Sequence, residues 1–193
     1  MEPLEQLHNF ISAIHWLNES EWEVFSGIWQ SFECKRKTVL TVAGETEKHL
    51  YFVLEGLQRA FYIGDDHEEA TIVFTYPSSF SGVADSFLTQ TNSRYFLETL
   101  TASKFLRTTY RQLEELMNGY PSIQKMVLKL TALALKGVLE RQIELQCFSA
   151  EEKFRALLKR SPHVLQIIPH KYLASYLGID PATFSKLLGS VRI

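Results

Sequence analysis

The amino-acid sequence predicts an α+β chain: an N-terminal antiparallel β-roll of jelly-roll type flanked by helices, then one long helix, then a helix-turn-helix. Three observations carry this expectation. At least six short strand patterns crowd between about Phe32 and Tyr110 with no helix between most of them, which suits an antiparallel roll rather than a parallel sheet. After Pro121 the apolar period becomes helical and stays so as far as Cys147. Between Ile168 and Leu188, two short helical patterns are joined by about three residues. The implied boundaries are 1–120 for the roll with its N-terminal helices, 121–147 for the long helix and 148–193 for the helix-turn-helix.

Leu4, Leu7, Ile11, Ile14 and Leu17 recur at helical spacing, and Asn18 with Glu21 has the form of a capping box that opens a second helix through Trp22, Phe25, Ile28 and Trp29. These helices are expected to lie as a lid on a sheet. The strands are TVLTV, HLYFVL ended by Glu55-Gly56, LQRAFYI ended by Gly64-Asp65-Asp66, ATIVFTY ended by Pro77, YFLETLT and KFLRTTY. Between Pro77 and Arg94 the pattern breaks, and Gly82 opens a short helix with Ala84, Phe87 and Leu88 turned inward. A helix start in the mouth of a roll offers backbone N–H groups to a small anion.

In the long helix, Ile123, Val127, Leu130, Ala134, Gly137 and Arg141 alternate steps of four and three, the seam of a two-stranded coiled coil. Met126, Leu133, Leu135 and Val138 widen its apolar surface. At 1.5 Å per residue the helix is about 40 Å long. The expected role is dimerisation through this seam; the alternative is a core helix packed on its own sheet. Ser149 with Glu152 forms a capping box for the next helix, which leaves a hinge near Cys147 to Ser149.

The last motif is built from local signals. Pro169 suits a helix start, Leu173, Ala174 and Leu177 form an inner face, and Gly178 ends the helix. Asp180 followed by Pro181 starts the second helix, whose inner face is Phe184, Leu187 and Leu188. Ala174, four residues before Gly178, leaves room for a steep crossing, the spacing of a DNA-binding helix-turn-helix. Ser185 and Lys186 are the expected base contacts, and His170, Lys171, Ser175 and Thr183 the expected phosphate contacts, joined by Arg192 in the phosphate-neutralising set.

Charge distribution agrees with that reading. The chain carries a net charge of -2, but from Glu151 onward seven Lys/Arg face three acids, a net +4, which leaves -6 on the first 150 residues. No apolar run approaches the roughly 20 residues that span a bilayer, and the acidic start MEPLEQL lacks the positive region of a signal peptide, so a cytoplasmic protein is expected. Cys34 and Cys147 are too isolated for a disulfide framework, an iron-sulfur cluster or a zinc site. No catalytic residues are assigned. His49-x-Tyr51-x3-Glu55 mimics part of a cupin metal motif, but the second histidine is missing and no His occurs between His67 and His163, so no metal site is expected.

In this order of parts the chain resembles the CRP/FNR superfamily of bacterial transcription regulators. The carriers are the Gly44 to Gly56 spacing around LYFVLEG, the FSG of Phe80 to Gly82, the long helix, and ASYLGIDPATFSKLL. The segments FSAEEKFRALL and IPHKYLASYLGI, with little chain left for a β-wing, are most similar to Bacteroidetes-type members. The resemblance implies a cyclic-nucleotide-binding-like roll, a homodimer on a palindromic site in double-stranded DNA, and RNA polymerase as a partner. It also locates an effector pocket at Gly82, Val83, Ala84, Ser93 and Arg94. Members that bind cyclic AMP carry glutamate where this chain has Val83 and an Arg-Ser/Thr pair where it has Ser93-Arg94, so the arginine is expected on the opposite face of its strand. Cyclic AMP is therefore not the expected effector; no cofactor is required, and another small anionic effector remains open. The reader helix has Pro181, Ala182 and Lys186 where guanine-reading relatives place Arg, Glu and Arg. The alternative function is accordingly a ligand-sensing or protein-interaction roll with a degenerate helix-turn-helix.

Overall fold

The computed structural model of the chain describes residues 2–190. In chain order the elements are α1 (Pro3–Ser12), α2 (Glu19–Gly27), β1 (Gln30–Cys34), β2 (Val39–Thr41), β3 (His49–Glu55), β4 (Gln58–Ile63), β5 (Glu69–Thr75), β6 (Phe80–Ser81) and α3 (Ala84–Thr89). They continue as β7 (Phe96–Thr99), β8 (Ser103–Thr109), α4 (Tyr110–Gly119), α5 (Pro121–Cys147), α6 (Ala150–Arg160), α7 (Val164–Ile167), α8 (His170–Leu177) and α9 (Pro181–Ser190). The chain divides into two compact units, Met1–Tyr62 with Val73–Ala132 and Ile63–Ile72 with Leu133–Ile193. The long helix is thus shared, and a short segment from the end of β4 into the first half of β5 belongs to the second unit.

Two four-stranded sheets form the roll, in the orders β1-β8-β3-β6 and β2-β7-β4-β5. The pairings of β3 with β8, β1 with β8 and β4 with β7 are antiparallel. The unbroken apolar run of β3 follows from burial on both faces. Tyr51 and Val53 point into the roll with Ala60, Val83, Leu97 and Phe105. Phe52, one residue out of phase, points the other way and packs with Leu7, Ile11, Phe25, Trp29, Leu113, Ile123 and Met126. The two N-terminal helices therefore form the expected lid. At the β3–β4 turn, Gly56 has φ +95, and a Cβ there would lie 2.3 Å from the Ser103 hydroxyl oxygen, so both the conformation and the close approach call for glycine.

Several elements differ from the sequence expectation. α1 ends at Ser12 rather than near Leu17, although Leu17 is buried all the same. The short strands β1 and β6, and helices α4 and α7, were not anticipated. For α4 the signal was present, because Thr109 and Gln112 make a reciprocal capping box right after the last strand. In α3, Phe87 is buried as expected, but Ala84 is exposed and Ser86 takes the inner position.

Candidate nucleic-acid interface

Helix α8 starts directly after Pro169 and ends at Gly178, which adopts the left-handed conformation at φ +62. The Ile179 N–H donates to the Ala174 carbonyl at 3.1 Å and closes the helix end, a Schellman-type turn that needs the glycine. Asp180 then caps α9. Its carboxylate accepts the Thr183 hydroxyl and, at 2.9 Å, the Thr183 N–H, bonds that hold it below the usual carboxylate range. Leu173, Ala174, Leu177 and Phe184 are buried, as are Phe154, Leu157 and Leu158 of α6, and the Phe154 and Phe184 rings meet edge to face at 5.5 Å. Two short helices are thereby set against a third.

Most of the polar groups expected at DNA lie on these two helices, in different conditions. His170, Lys171, Ser185 and Lys186 are exposed. The Lys171 ammonium sits 4.7 Å over the Tyr172 ring, and the His170 ring lies 5.4 Å from that of Phe184. The three hydroxyls are already engaged. Thr183 donates to Asp180, Ser185 donates to the Pro181 carbonyl at 2.9 Å, and Ser175 donates to the Glu69 carbonyl at 3.0 Å. Short hydroxyl side chains find the nearest carbonyl, and sequence spacing does not reveal this. Arg192 lies outside the described residues.

A buried ionic cluster joins α5, α6 and α8, and sequence reasoning missed it. Arg141 donates to Glu144 at 2.6 Å and to the Tyr176 carbonyl, with its guanidinium carbon 4.3 Å above the Tyr176 ring. Arg160 donates to both Glu144 oxygens, at 2.6 and 3.3 Å. Burial alone would raise the Glu144 carboxyl, but the hydrogen bonds from Arg160 and Arg141 outweigh it and hold Glu144 below its ordinary value. The cluster ties the helix-turn-helix to the end of the long helix.

The coiled-coil spacing puts Arg141 on the expected dimer seam, but in the structure that side of α5 faces the chain's own core and the ionic cluster. Ile123 is fully buried, Val127 and Leu130 pack against the same core, and Arg141 is buried in the cluster. Only Ala134 and Gly137 of the six expected seam residues are exposed. The free apolar surface is a different stripe, in which Leu128, Leu135, Val138, Leu139 and Ile143 are between 50% and 68% exposed. At about 100° per residue this stripe is centred roughly half a turn from Ile123, Leu130 and Arg141. A charged residue within the expected seam was the available clue that it faces the chain's own body.

The expected effector pocket holds a side chain of this protein. Glu47 is 1% exposed. Its carboxylate accepts the Thr41 hydroxyl and the N–H groups of Val83 and His49, both at 3.2 Å, while its own N–H donates to the Ser86 hydroxyl. Burial pushes its carboxyl up, against the pull of those hydrogen bonds. The backbone group at Val83 is thus occupied by an internal carboxylate. Gly82 is half-buried, Ser93 is buried and bonded to the Tyr95 backbone, and Arg94 is exposed with its guanidinium 5.6 Å from the Tyr62 ring. Ser93 and Arg94 precede β7 and lie outside any strand, so the strand alternation expected of them does not apply; Ser93 is buried, Arg94 is exposed, and Ala84 is exposed as well.

The fold and this site together define a class: an antiparallel β-roll followed by a long helix and a helix-turn-helix. Residues 32–120, a little under half of the chain, match the family model described as cyclic nucleotide-binding domain. The chain has the fold of CRP/FNR transcriptional regulators. It is similar to FixK2 from Bradyrhizobium japonicum at TM-score 0.75 and 15% identity, over 84% of this chain and 83% of that one. It is similar to a CRP/FNR-family regulator from Eubacterium rectale at TM-score 0.68 and 15% identity, over 90% and 82%. The catabolite activator protein of Thermus thermophilus matches at TM-score 0.58 and 20% identity, over 95% and 90%. No curated protein sequence matches the chain. No helix among the described residues is long and apolar enough to cross a membrane.

Removing Glu144 leaves two guanidinium groups facing each other, one of them buried. Glu144→Ala is expected to destabilise the protein by on the order of 3 kcal/mol in urea unfolding. Because the folded-state carboxyl is held below its ordinary value of 4.5, its stabilisation is complete above that pH and is lost as the pH falls below it. The difference between wild type and Glu144→Ala should therefore shrink in acid; an equal difference at neutral and acid pH would contradict the ionic account.

Proposed function

We propose that this chain is a DNA-binding transcriptional regulator of the CRP/FNR family, a homodimer that acts in the cytoplasm on an inverted-repeat site and is not an enzyme. The observation that carries the reading is the helix-turn-helix itself, with its Gly178 turn, its Asp180 cap and exposed Lys171 and Lys186 beside it. Affinity then comes mainly from phosphate neutralisation by Lys171, Lys186, Arg192 and the Lys153 to Arg160 helix. Sequence discrimination is modest, because the hydroxyls of Thr183 and Ser185 are bonded within the chain. Contact with RNA polymerase is part of the same proposal, as the family resemblance implies.

The stripe of Leu128, Leu135, Val138, Leu139 and Ile143 supports the dimer, since a lone chain would present it to water. Its occupant is a second copy of the same helix. Two such copies would set the reader helices about 34 Å apart, one turn of DNA, with half-sites about 10 base pairs apart. Cyclic AMP is not the effector in this reading: Val83 offers no acceptor for a ribose hydroxyl, its N–H is bonded to Glu47, and Arg94 faces outward.

Binding to duplex DNA, followed by fluorescence anisotropy against salt, tests the central claim. Each phosphate contact contributes about -0.9 to the slope of log K against log salt, so Lys171→Ala in both subunits should flatten the slope by roughly 2 and weaken all sequences alike. Binding indifferent to salt would remove the reading. In light scattering, Leu139→Glu should give a monomer where the wild type is a dimer at micromolar concentration, and a monomeric wild type would remove the dimer. A ligand at 100 times its dissociation constant stabilises by about 2.7 kcal/mol, several degrees in a melt. Millimolar cyclic AMP should leave the melt unmoved, and a shift of that size would overturn the account of the roll.

A further inference from the structure

The segment Ile63–Ile72, from the end of β4 through the turn into the first half of β5, is clustered with the helix-turn-helix, and its bonds to α8 are specific. The Thr71 N–H donates to the Ser175 hydroxyl oxygen at 2.9 Å, and that hydroxyl donates its hydrogen to the Glu69 carbonyl at 3.0 Å. Thr71 is buried. The tip is a formed turn: the Gly64 N–H bonds the Glu68 carbonyl, and the His67 N–H bonds the Gly64 carbonyl, both at 3.0 Å, with His67 at φ 61.

We infer that this hairpin is an autoinhibitory latch on the DNA-binding helix α8, closed by Ser175 and released when DNA is bound. The inference rests on the DNA-binding reading above and adds its regulation. The chemistry is a competition for one hydrogen. A phosphate oxygen accepts hydrogen bonds and donates none, so Ser175 can serve it only by giving up the Glu69 carbonyl. Where the Ser175 side chain changes rotamer to reach the phosphate, its oxygen also leaves the Thr71 N–H, so both of its bonds to the hairpin open together. Charge acts in the same direction. Asp65, Asp66, Glu68 and Glu69 place four carboxylates within five residues, and a duplex drawn to α8 brings its own negative charge toward them. Hairpin and DNA therefore exclude each other at α8, and anything that shifts the hairpin changes DNA affinity without touching the reader helix.

Amide hydrogen exchange on the wild type, free and with saturating duplex DNA, reads the latch directly. The Thr71 amide should be protected in the free protein and exchange at least tenfold faster in the complex. Thr71→Pro, which deletes the donor, should bind the same duplex about tenfold more tightly, the loss of roughly 1.4 kcal/mol of hairpin contact. If Thr71→Pro fails to fold, the exchange measurement decides alone. Wild-type binding with the Thr71 amide equally protected in both states would overturn the latch and leave the DNA-binding reading intact, as would equal affinity of a folded Thr71→Pro. Failure of both proteins to bind any duplex would remove the DNA-binding reading and the latch with it.

Discussion

The structure depends on how α5 divides its circumference. One side carries Ile123, Met126 and Leu130 into the core beneath the roll and, three turns later, Arg141 and Glu144 into contact with α6 and α8. The opposite side carries Leu128, Leu135, Leu139 and Ile143, exposed in the single chain. A helix buries only the side that meets its own chain, so a second apolar stripe on the opposite side stays exposed in the single chain. In the proposed dimer, the same helix that organises the fold also sets the spacing of the two DNA-binding ends.

Two buried carboxylates show how environment separates groups of identical chemistry. Glu144 is held between two guanidinium groups, and its negative charge pairs with a cation from α5 and one from α6. Glu47 has no cation bonded to it and relies on a hydroxyl and two backbone N–H groups, so burial dominates and its carboxyl is raised. The charge of Glu47, together with burial, also pushes the neighbouring Tyr51 phenol upward. The first carboxylate acts as a joint between helices. The second gathers a hydroxyl and backbone N–H groups inside the roll.

In the proposed regulator, an anion position supplied from within the roll and a hairpin bonded to α8 would place control in intramolecular contacts. Ser175 and Glu47 are alike in this respect. Each is a polar side chain placed where a phosphate group would be expected, and each is bonded to the protein instead.

Features set by neighbours in the chain were legible in the amino-acid sequence. The caps at Asn18, Ser149 and Asp180, the turn at Gly178 and the inner face of α8 depend on residues at most a few positions apart, and all are present in the structure, whereas of the expected inner face of α9 only Phe184 is buried and Leu188 is exposed. The strands around LYFVLEG were legible for the same reason, whereas the strand alternation expected of Ser93 and Arg94 was not, because the two residues lie before β7 and outside any strand. The tertiary structure decided which side of α5 turns inward, because a helical period shows that a stripe exists but not what covers it. It also decided the distant partners of Arg141, Glu47 and Ser175, namely Tyr176, Val83 and the Glu69–Thr71 backbone, which lie 35, 36 and 104 or more positions away in the chain. Hydrogen bonding and burial act between groups close in space, and a linear pattern records only those that are also close in sequence.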